Sequence, residues 1–174
     1  MQWIFGYGSL IWRPDFEFVA RRPARVHGWQ RRFWQGSHDH RGVPERPGRV
    51  VTLVAADGGH CDGMAYQVTA ADSARIFDAL DHREKNGYER RDLELHFLDA
   101  DGDTAPGIVY LAPEGNHAVS GPAGVADIAR QIVRSTGPSG RNIDYLIDLA
   151  AALWAMNADD EHVFELEHAI REHL

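Results

Sequence analysis

Cysteine is nearly absent: the 174-residue chain carries one, Cys61. A lone thiol cannot close an internal disulfide, which points to a reducing compartment and to Cys61 as a small buried group. No apolar run approaches the ~20 residues that span a bilayer. The N-terminus lacks the basic stretch and long apolar core of a signal peptide. The expectation is a cytoplasmic protein that avoids membranes. Repeats, low-complexity tracts and linkers are also missing. At 19.5 kDa the chain is long enough to bury one full core, so residues 1–174 are expected to form a single domain.

Excess positive charge is missing as well, since the net charge is −8. Residues 1–50 hold nine arginines against four acidic side chains, a balance of +5 that leaves −13 on the remainder. A polyanion would be repelled by the bulk of such a chain, so nucleic acid is an unsuitable partner. The arginines instead suit internal ion pairs or a small anionic ligand held bidentately. Several motifs are absent too: the helical HExxH and CxxC patterns of metal sites, the GKS/T of a P-loop and the GxGxxG of a dinucleotide site. His38-Asp39-His40, with His27 or His60 nearby in sequence, is the one metal-like grouping. A loop of solvated histidines explains it without a metal.

What the chain has is strands followed by helices. Beta-like segments fall at 2–5, 24–29, 31–35, 49–55, 62–68, 92–98 and 107–112, separated by Gly, Pro and Asp. Arg49 to Val54 is rich in β-branched residues and suits a buried central strand. A helix over 70–84 interrupts the series. Thr69 and Asp72 open it, Ile76, Phe77 and Leu80 give it an apolar face, and Asn86-Gly87 can end it. Three helices follow. Val125, Ile128, Ala129, Ile132 and Val133 form one helical stripe. Ile143, Leu146, Ile147, Ala150, Leu153 and Trp154 form a second, with Asn142 as N-cap. Val163, Leu166 and Ile170 form the third. This order predicts an α+β domain: a curved antiparallel sheet or small β-barrel, a crossing helix, and C-terminal helices packed around it.

Two stretches carry chemistry. Gly6-Tyr7-Gly8-Ser9-Leu10 follows the apolar run Trp3-Ile4-Phe5. Its glycines permit φ > 0 and close approach to main-chain N–H groups, which can nest an anion, while Tyr7 and Ser9 add hydroxyls. A strand leading into a tight turn accounts for the same letters. The second stretch runs from Leu80 to Tyr88 and puts Glu84 at the C-terminal end of the 70–84 helix, where the dipole disfavours a carboxylate. If buried, Glu84 would have a raised pKa and could act as a general base; if exposed, it is one charge on a helix end.

Taken together, the Gly6–Leu10 turn and the Leu80-Asp81-His82-Arg83-Glu84-Lys85-Asn86-Gly87-Tyr88 stretch resemble the ChaC-like γ-glutamylcyclotransferases. Four further stretches extend the resemblance: Arg31 to Ser37, Asp39 to Pro44, Pro47 to Leu53, and Gly137 to Asn142 with Tyr145-Leu146. Asp160-Glu161-His162 and Leu166-Glu167 are similar to the family's shorter members. The resemblance implies a lyase that cyclises glutathione to 5-oxoproline and releases cysteinylglycine, with no cofactor and no metal, because the substrate's own α-amine is the nucleophile. It implies Glu84 as general base and then acid, with Gly6, Tyr7, Gly8, Ser9, Leu10 and Ile11 lining the γ-glutamyl pocket. Tyr110 would add a hydroxyl to the cavity or serve as an ordinary strand tyrosine. Arg41 would meet a substrate carboxylate or pair internally with Asp39 or Glu45. The working unit would be a monomer or weak homodimer.

The sequence departs from the family pattern at His38, where a small hydroxyl residue is usual. Two rival readings remain. A Ser9–His82–Asp81 triad lacks the GxSxG elbow, because Tyr7 and Ile11 stand where its glycines belong. A non-catalytic small-molecule-binding regulator could use the same pocket, but it would not require Glu84. Within the enzyme class, other γ-glutamyl amino acids or amines are alternative substrates.

Overall fold

The computed structural model describes residues 1–84 and 87–174. Five strands close into a barrel in the order β1-β3-β2-β4-β5. They are β1 (Gln2–Gly6), β2 (Ala20–Ser37), β3 (Gly48–Val68), β4 (Glu89–Phe97) and β5 (Thr104–Leu111). β1 closes the ring by pairing in parallel with β5, Trp3 opposite Gly107 and Ile4 opposite Ile108, while the other pairings are antiparallel. The expected α+β architecture is present.

The segments expected at 24–29 and 31–35 are one strand, β2, and those at 49–55 and 62–68 are another, β3. Gln30, between the first two, pairs in register with Val54, and the stretch between the other two lies inside the same long hairpin. Register shifts occur between His27 and Trp29 and between Arg32 and Gln35. Gly28 takes φ +82° and Gly58 φ +72°, a region that favours glycine. Bulges of this kind bend a strand and raise its twist, which lets long strands wrap a barrel of only five.

Helix α1 (Ala70–Arg83) crosses one mouth of the barrel. Thr69 accepts a hydrogen bond from the Asp72 N–H (3.1 Å) and donates its hydroxyl to the Asp72 carboxylate (2.7 Å). Ile76, Phe77 and Leu80 pack with Ile4, Leu10, Val68 and Tyr110. Of the residues expected to end this helix, Gly87 has φ +86°, and Asn86 lies outside the described residues.

Helices α2 (Val125–Arg134), α3 (Asn142–Ala155) and α4 (Glu161–Ile170) share one core with the barrel. Ile128, Ile132, Leu146, Leu153, Val163, Leu166 and Ile170 are fully buried, as their spacing predicted. Two expectations fail. Asn142 is not the N-cap of α3, a position taken by Arg141. Asn142 is instead fully buried, accepting from the Arg49 N–H and donating to the Arg49 carbonyl, both at 2.8 Å. Trp154 is 55% exposed rather than in the core. It stacks on Phe164 at 3.9 Å and donates to Glu167, so the end of α3 is closed by a surface pair.

Arg31 of β2 is buried to 1% and acts as the internal brace. Its Nε donates to the Tyr7 carbonyl (2.7 Å), Nη2 to the Asp62 carbonyl, and Nη1 to the Asp160 carboxylate. Asp160 also caps α4 by accepting from the Val163 N–H. One guanidinium therefore ties the turn after β1, strand β3 and the start of α4. Nearby, His162 accepts from the Phe33 N–H (3.0 Å), and burial holds its pKa down at about 4, so it is neutral. Removing one partner of a buried pair costs about 3–5 kcal/mol. R31M and D160N are each expected to lose about that much stability in urea unfolding, D160N because it leaves the Arg31 cation buried without a counter-charge. Equal stability of R31M and the parent would show that the brace is dispensable.

Candidate active site

The turn that leaves β1 wraps into a single 3-10 turn, Ser9–Ile11, at the mouth that α1 crosses. Its chain is tight: the Ile11 N–H donates to the Gly8 carbonyl (2.9 Å) and the Arg13 N–H to the Ser9 carbonyl (2.8 Å). The Tyr66 hydroxyl faces the carbonyls of Leu10 (2.6 Å) and Ile11 (2.9 Å) and fixes the turn from below. Among the described residues, the Ser9 and Leu10 N–H groups donate to no backbone carbonyl. Neither Gly6 nor Gly8 takes the positive φ that glycine permits, and both sit where a Cβ would crowd its neighbours. A Cβ on Gly6 would stand 2.7 Å from the Leu10 Cβ, and one on Gly8 would stand 3.0 Å from the Tyr145 hydroxyl.

A cavity of about 150 Å³ opens beside this turn. Gly6, Tyr7, Gly8, Ser9, Leu10, Arg41, Glu84 and Tyr110, all expected site residues, line it together. Ile11 does not. It is buried in the main core, because the 3-10 turn rotates its side chain under the barrel mouth.

Glu84 is the C-cap residue of α1, its N–H bonded to the Leu80 carbonyl (2.9 Å). Its side chain is half-buried, and its pKa is raised. Burial is the main cause; Asp39 adds to the rise, and the Arg83 guanidinium opposes it. Arg83 itself turns away to donate to the Ser9 hydroxyl (2.8 Å) and to pair with Asp15 (3.5 Å). Lys85, the other basic flank, lies outside the described residues.

Four phenols surround the Glu84 charge. Burial pushes Tyr7, Tyr88 and Tyr110 above the usual phenol range and Tyr145 up to about 12, and Glu84 raises each further. All four are therefore neutral at pH 7. The Tyr7 hydroxyl donates to the Tyr110 carbonyl (2.6 Å), and the Tyr110 hydroxyl donates to Asp81 (2.7 Å). Asp81 also accepts from Arg90 (2.9 Å). Ser9 and Asp81 thus have other partners, and His82 is exposed on α1, so no nucleophilic triad is assembled.

The far side of the cavity is built from β2 and the loops around it. Arg41 is 8% exposed; it donates to the Arg141 carbonyl (3.1 Å), and its guanidinium lies 5.7 Å from the Tyr145 ring centre. His40 meets the Ser139 hydroxyl at 3.2 Å on the same side. Gln35 is buried to 1% on this wall, its Nε2 donating to Asn116 (3.3 Å). Its Oε1 has no hydrogen-bond partner among the described residues. Gln35, Tyr88, Asp39 and Tyr145 escaped the sequence reading as site residues. All four stood inside stretches already singled out, yet nothing in their spacing showed that they would converge.

The chain has close relatives. The family model described as ChaC-like protein matches residues 2–173. Gamma-glutamylcyclotransferase 2-3 of Arabidopsis thaliana is 43% identical, covering 97% of this chain and 88% of that protein. The Homo sapiens glutathione-specific gamma-glutamylcyclotransferase 1 is 40% identical over 97% of this chain and 78% of its own length. A crystal structure of a γ-glutamyl cyclotransferase specific to glutathione from yeast matches with a TM-score of 0.89 at 30% identity, covering 98% of this chain and 96% of that one. The likeness extends over sequence and fold alike, and the chain belongs to the ChaC-like family.

Proposed function

We propose that the chain is a γ-glutamylcyclotransferase that cleaves glutathione to 5-oxoproline and cysteinylglycine. The observation that carries this reading is a desolvated carboxylate, Glu84, sharing a cavity with the Gly6–Leu10 turn and ringed by neutral tyrosines. The names of the relatives, glutathione-specific gamma-glutamylcyclotransferases among them, support the same substrate.

The chemistry needs three things, and the cavity supplies a group for each. Glu84 takes a proton from the substrate's α-ammonium. The freed amine attacks the γ-carbonyl carbon, and a five-membered ring closes as the carbonyl π pair moves to oxygen. Ser9 and Leu10 line the cavity, and their N–H groups would bind that negative charge or the α-carboxylate. When the oxyanion collapses, the C–N bond to cysteine breaks, Glu84 returns its proton to the leaving nitrogen, and the second proton of the ring nitrogen passes by the same carboxylate to the released amine, which leaves as an ammonium. Positioning also contributes. Well-oriented intramolecular reactions reach effective molarities of about 10⁵–10⁸ M, so folding the γ-glutamyl arm against the turn supplies much of the acceleration. Ser9, held by Arg83, is a binding group in this account and not a nucleophile.

Arg41 and Gln35 lie on the opposite wall. A buried guanidinium suits a substrate carboxylate. The working unit in this reading is a monomer or weak homodimer. Among the described residues no helix is long and apolar enough to cross a membrane. Burial pushes the Cys61 thiol up to about 12, where it is unreactive, and a cytoplasmic setting suits it.

Five outcomes test the reading. Purified protein is expected to yield 5-oxoproline from glutathione faster than from γ-glutamyl-alanine; turnover of the alanine compound alone would overturn the specificity. E84Q is expected to lower kcat by about 10²–10⁴-fold while binding glutathione, and unchanged turnover would remove Glu84 from the chemistry. The raised pKa of Glu84 places the acidic limb of kcat/KM above pH 4.5. The same shift favours the protonated carboxyl in the folded state, so its stabilising effect is present at low pH and lost as pH rises through the folded pKa. E84Q should therefore be more stable than the parent at pH 7, with the difference shrinking on acidification. Finally, R41M is expected to raise KM for glutathione about 10–100-fold, the worth of a charged hydrogen bond. Equal loss on γ-glutamyl amines that lack a distal carboxylate would assign Arg41 to the α-carboxylate, and no loss on either would exclude it from binding.

A further inference from the structure

The segment 112–121 runs across the barrel mouth and is laced to β2. The Gly36 N–H donates to the Ala118 carbonyl (2.7 Å), the Ser120 N–H to the Trp34 carbonyl (2.7 Å), and Gln35 bridges to Val119. Arg49 anchors its far end through the Gly121 carbonyl (2.7 Å). In the middle of this strap stands Asn116, which no sequence motif singled out.

The orientation of the Asn116 amide is set by two backbone groups of opposite polarity. Its Oδ1 accepts from the Ala118 N–H (2.8 Å), and its Nδ2 donates to the Gly87 carbonyl (2.8 Å). With Oδ1 thus assigned as acceptor, the Gln35 group facing it at 3.3 Å must be the Nε2 donor. That leaves the Gln35 Oε1 buried and unpartnered among the described residues. The Gly87 end matters equally. Gly87 follows Glu84 by three residues, and the Tyr88 N–H returns to the Glu84 carbonyl at 3.3 Å. The fit is close: a Cβ on Gly87 would fall 2.1 Å from Nδ2, and φ is +86°.

We propose that Asn116 is a positioning residue that joins the two walls of the cavity. Through its oxygen it fixes the Gln35 side chain in the wall built by β2. Through its nitrogen it holds Gly87, which adjoins Tyr88 and follows Glu84 by three residues. The inference rests on the cyclotransferase reading for its kinetic consequence, but not for its structural one.

The two halves separate by substitution. N116D keeps an acceptor for Ala118 and Gln35 but cannot donate to the Gly87 carbonyl, whereas N116A loses both. N116D is expected to lower kcat at least 10-fold with KM for glutathione within about 2-fold of the parent. N116A is expected to lower kcat and also raise KM, and adding N116A to Q35A should change KM less than 2-fold further. Hydrogen exchange reads the same division without turnover: N116D should deprotect the Tyr88 amide and spare that of Ala118, while N116A exposes both. A parent that leaves glutathione untouched defeats the functional reading alone, since the exchange pattern still judges the strap. Parent-like kinetics in N116A, identical KM and kcat effects in the two variants, or unchanged Tyr88 exchange in N116D would each overturn the proposal.

Discussion

A guanidinium without access to solvent, that of Arg31, sits where three parts of the protein meet, and the cavity depends on it. The Gly6–Leu10 turn contributes the Tyr7 carbonyl, β3 the Asp62 carbonyl, and α4 its capping residue Asp160. A buried charge is tolerated only when its donors are matched, and here all three donor nitrogens have partners. The constraint works in both directions. The turn cannot drift from β2 without stranding the charge, and α4 cannot leave without exposing Asp160. Because Tyr7 is held by its carbonyl from one side and by its hydroxyl on Tyr110 from the other, the turn that faces Glu84 is rigid.

Around that rigid turn the electrostatics are set by exclusion of water. The Glu84 pKa is raised mainly by burial, pushed further up by Asp39 and opposed by Arg83. The tyrosines respond to the same burial in the opposite functional sense. Each is held as a neutral hydroxyl, able to hydrogen-bond a substrate without competing for its proton. This arrangement costs stability at neutral pH, since an ionised carboxylate is kept from full hydration. Brace and cavity are therefore linked, because a destabilised site requires a scaffold that over-determines it.

Much of this was legible in the sequence wherever local pattern decides structure. The stripes through Ile128 and Ile132, and through Leu146 and Leu153, are buried as their 3.6-residue period requires. Glu84 and the glycine turn were recognisable as a pair through the family resemblance. Reading failed where a distant partner overrides local chemistry. Asn142 has the residue type of an N-cap, yet the backbone of Arg49 claims its side chain. Trp154 fits the apolar stripe of α3 but ends beyond the reach of the barrel and pairs with Phe164 instead. Gly58 reads as part of a turn between the segments 49–55 and 62–68, because a bulge within a strand uses the same residue. Gln35 and Asn116 are 81 positions apart, and no periodicity links them.

The central claim is that the nucleophile belongs to the substrate and that Glu84 only moves its proton. The most direct measurement is turnover of glutathione in ¹⁸O-enriched water, with the products resolved by mass. Cyclisation by the α-amine is expected to give 5-oxoproline free of solvent oxygen, with cysteinylglycine in equal amount and no glutamate. Glutamate carrying ¹⁸O in its γ-carboxylate would mean that water attacks the γ-carbonyl, contradicting the account.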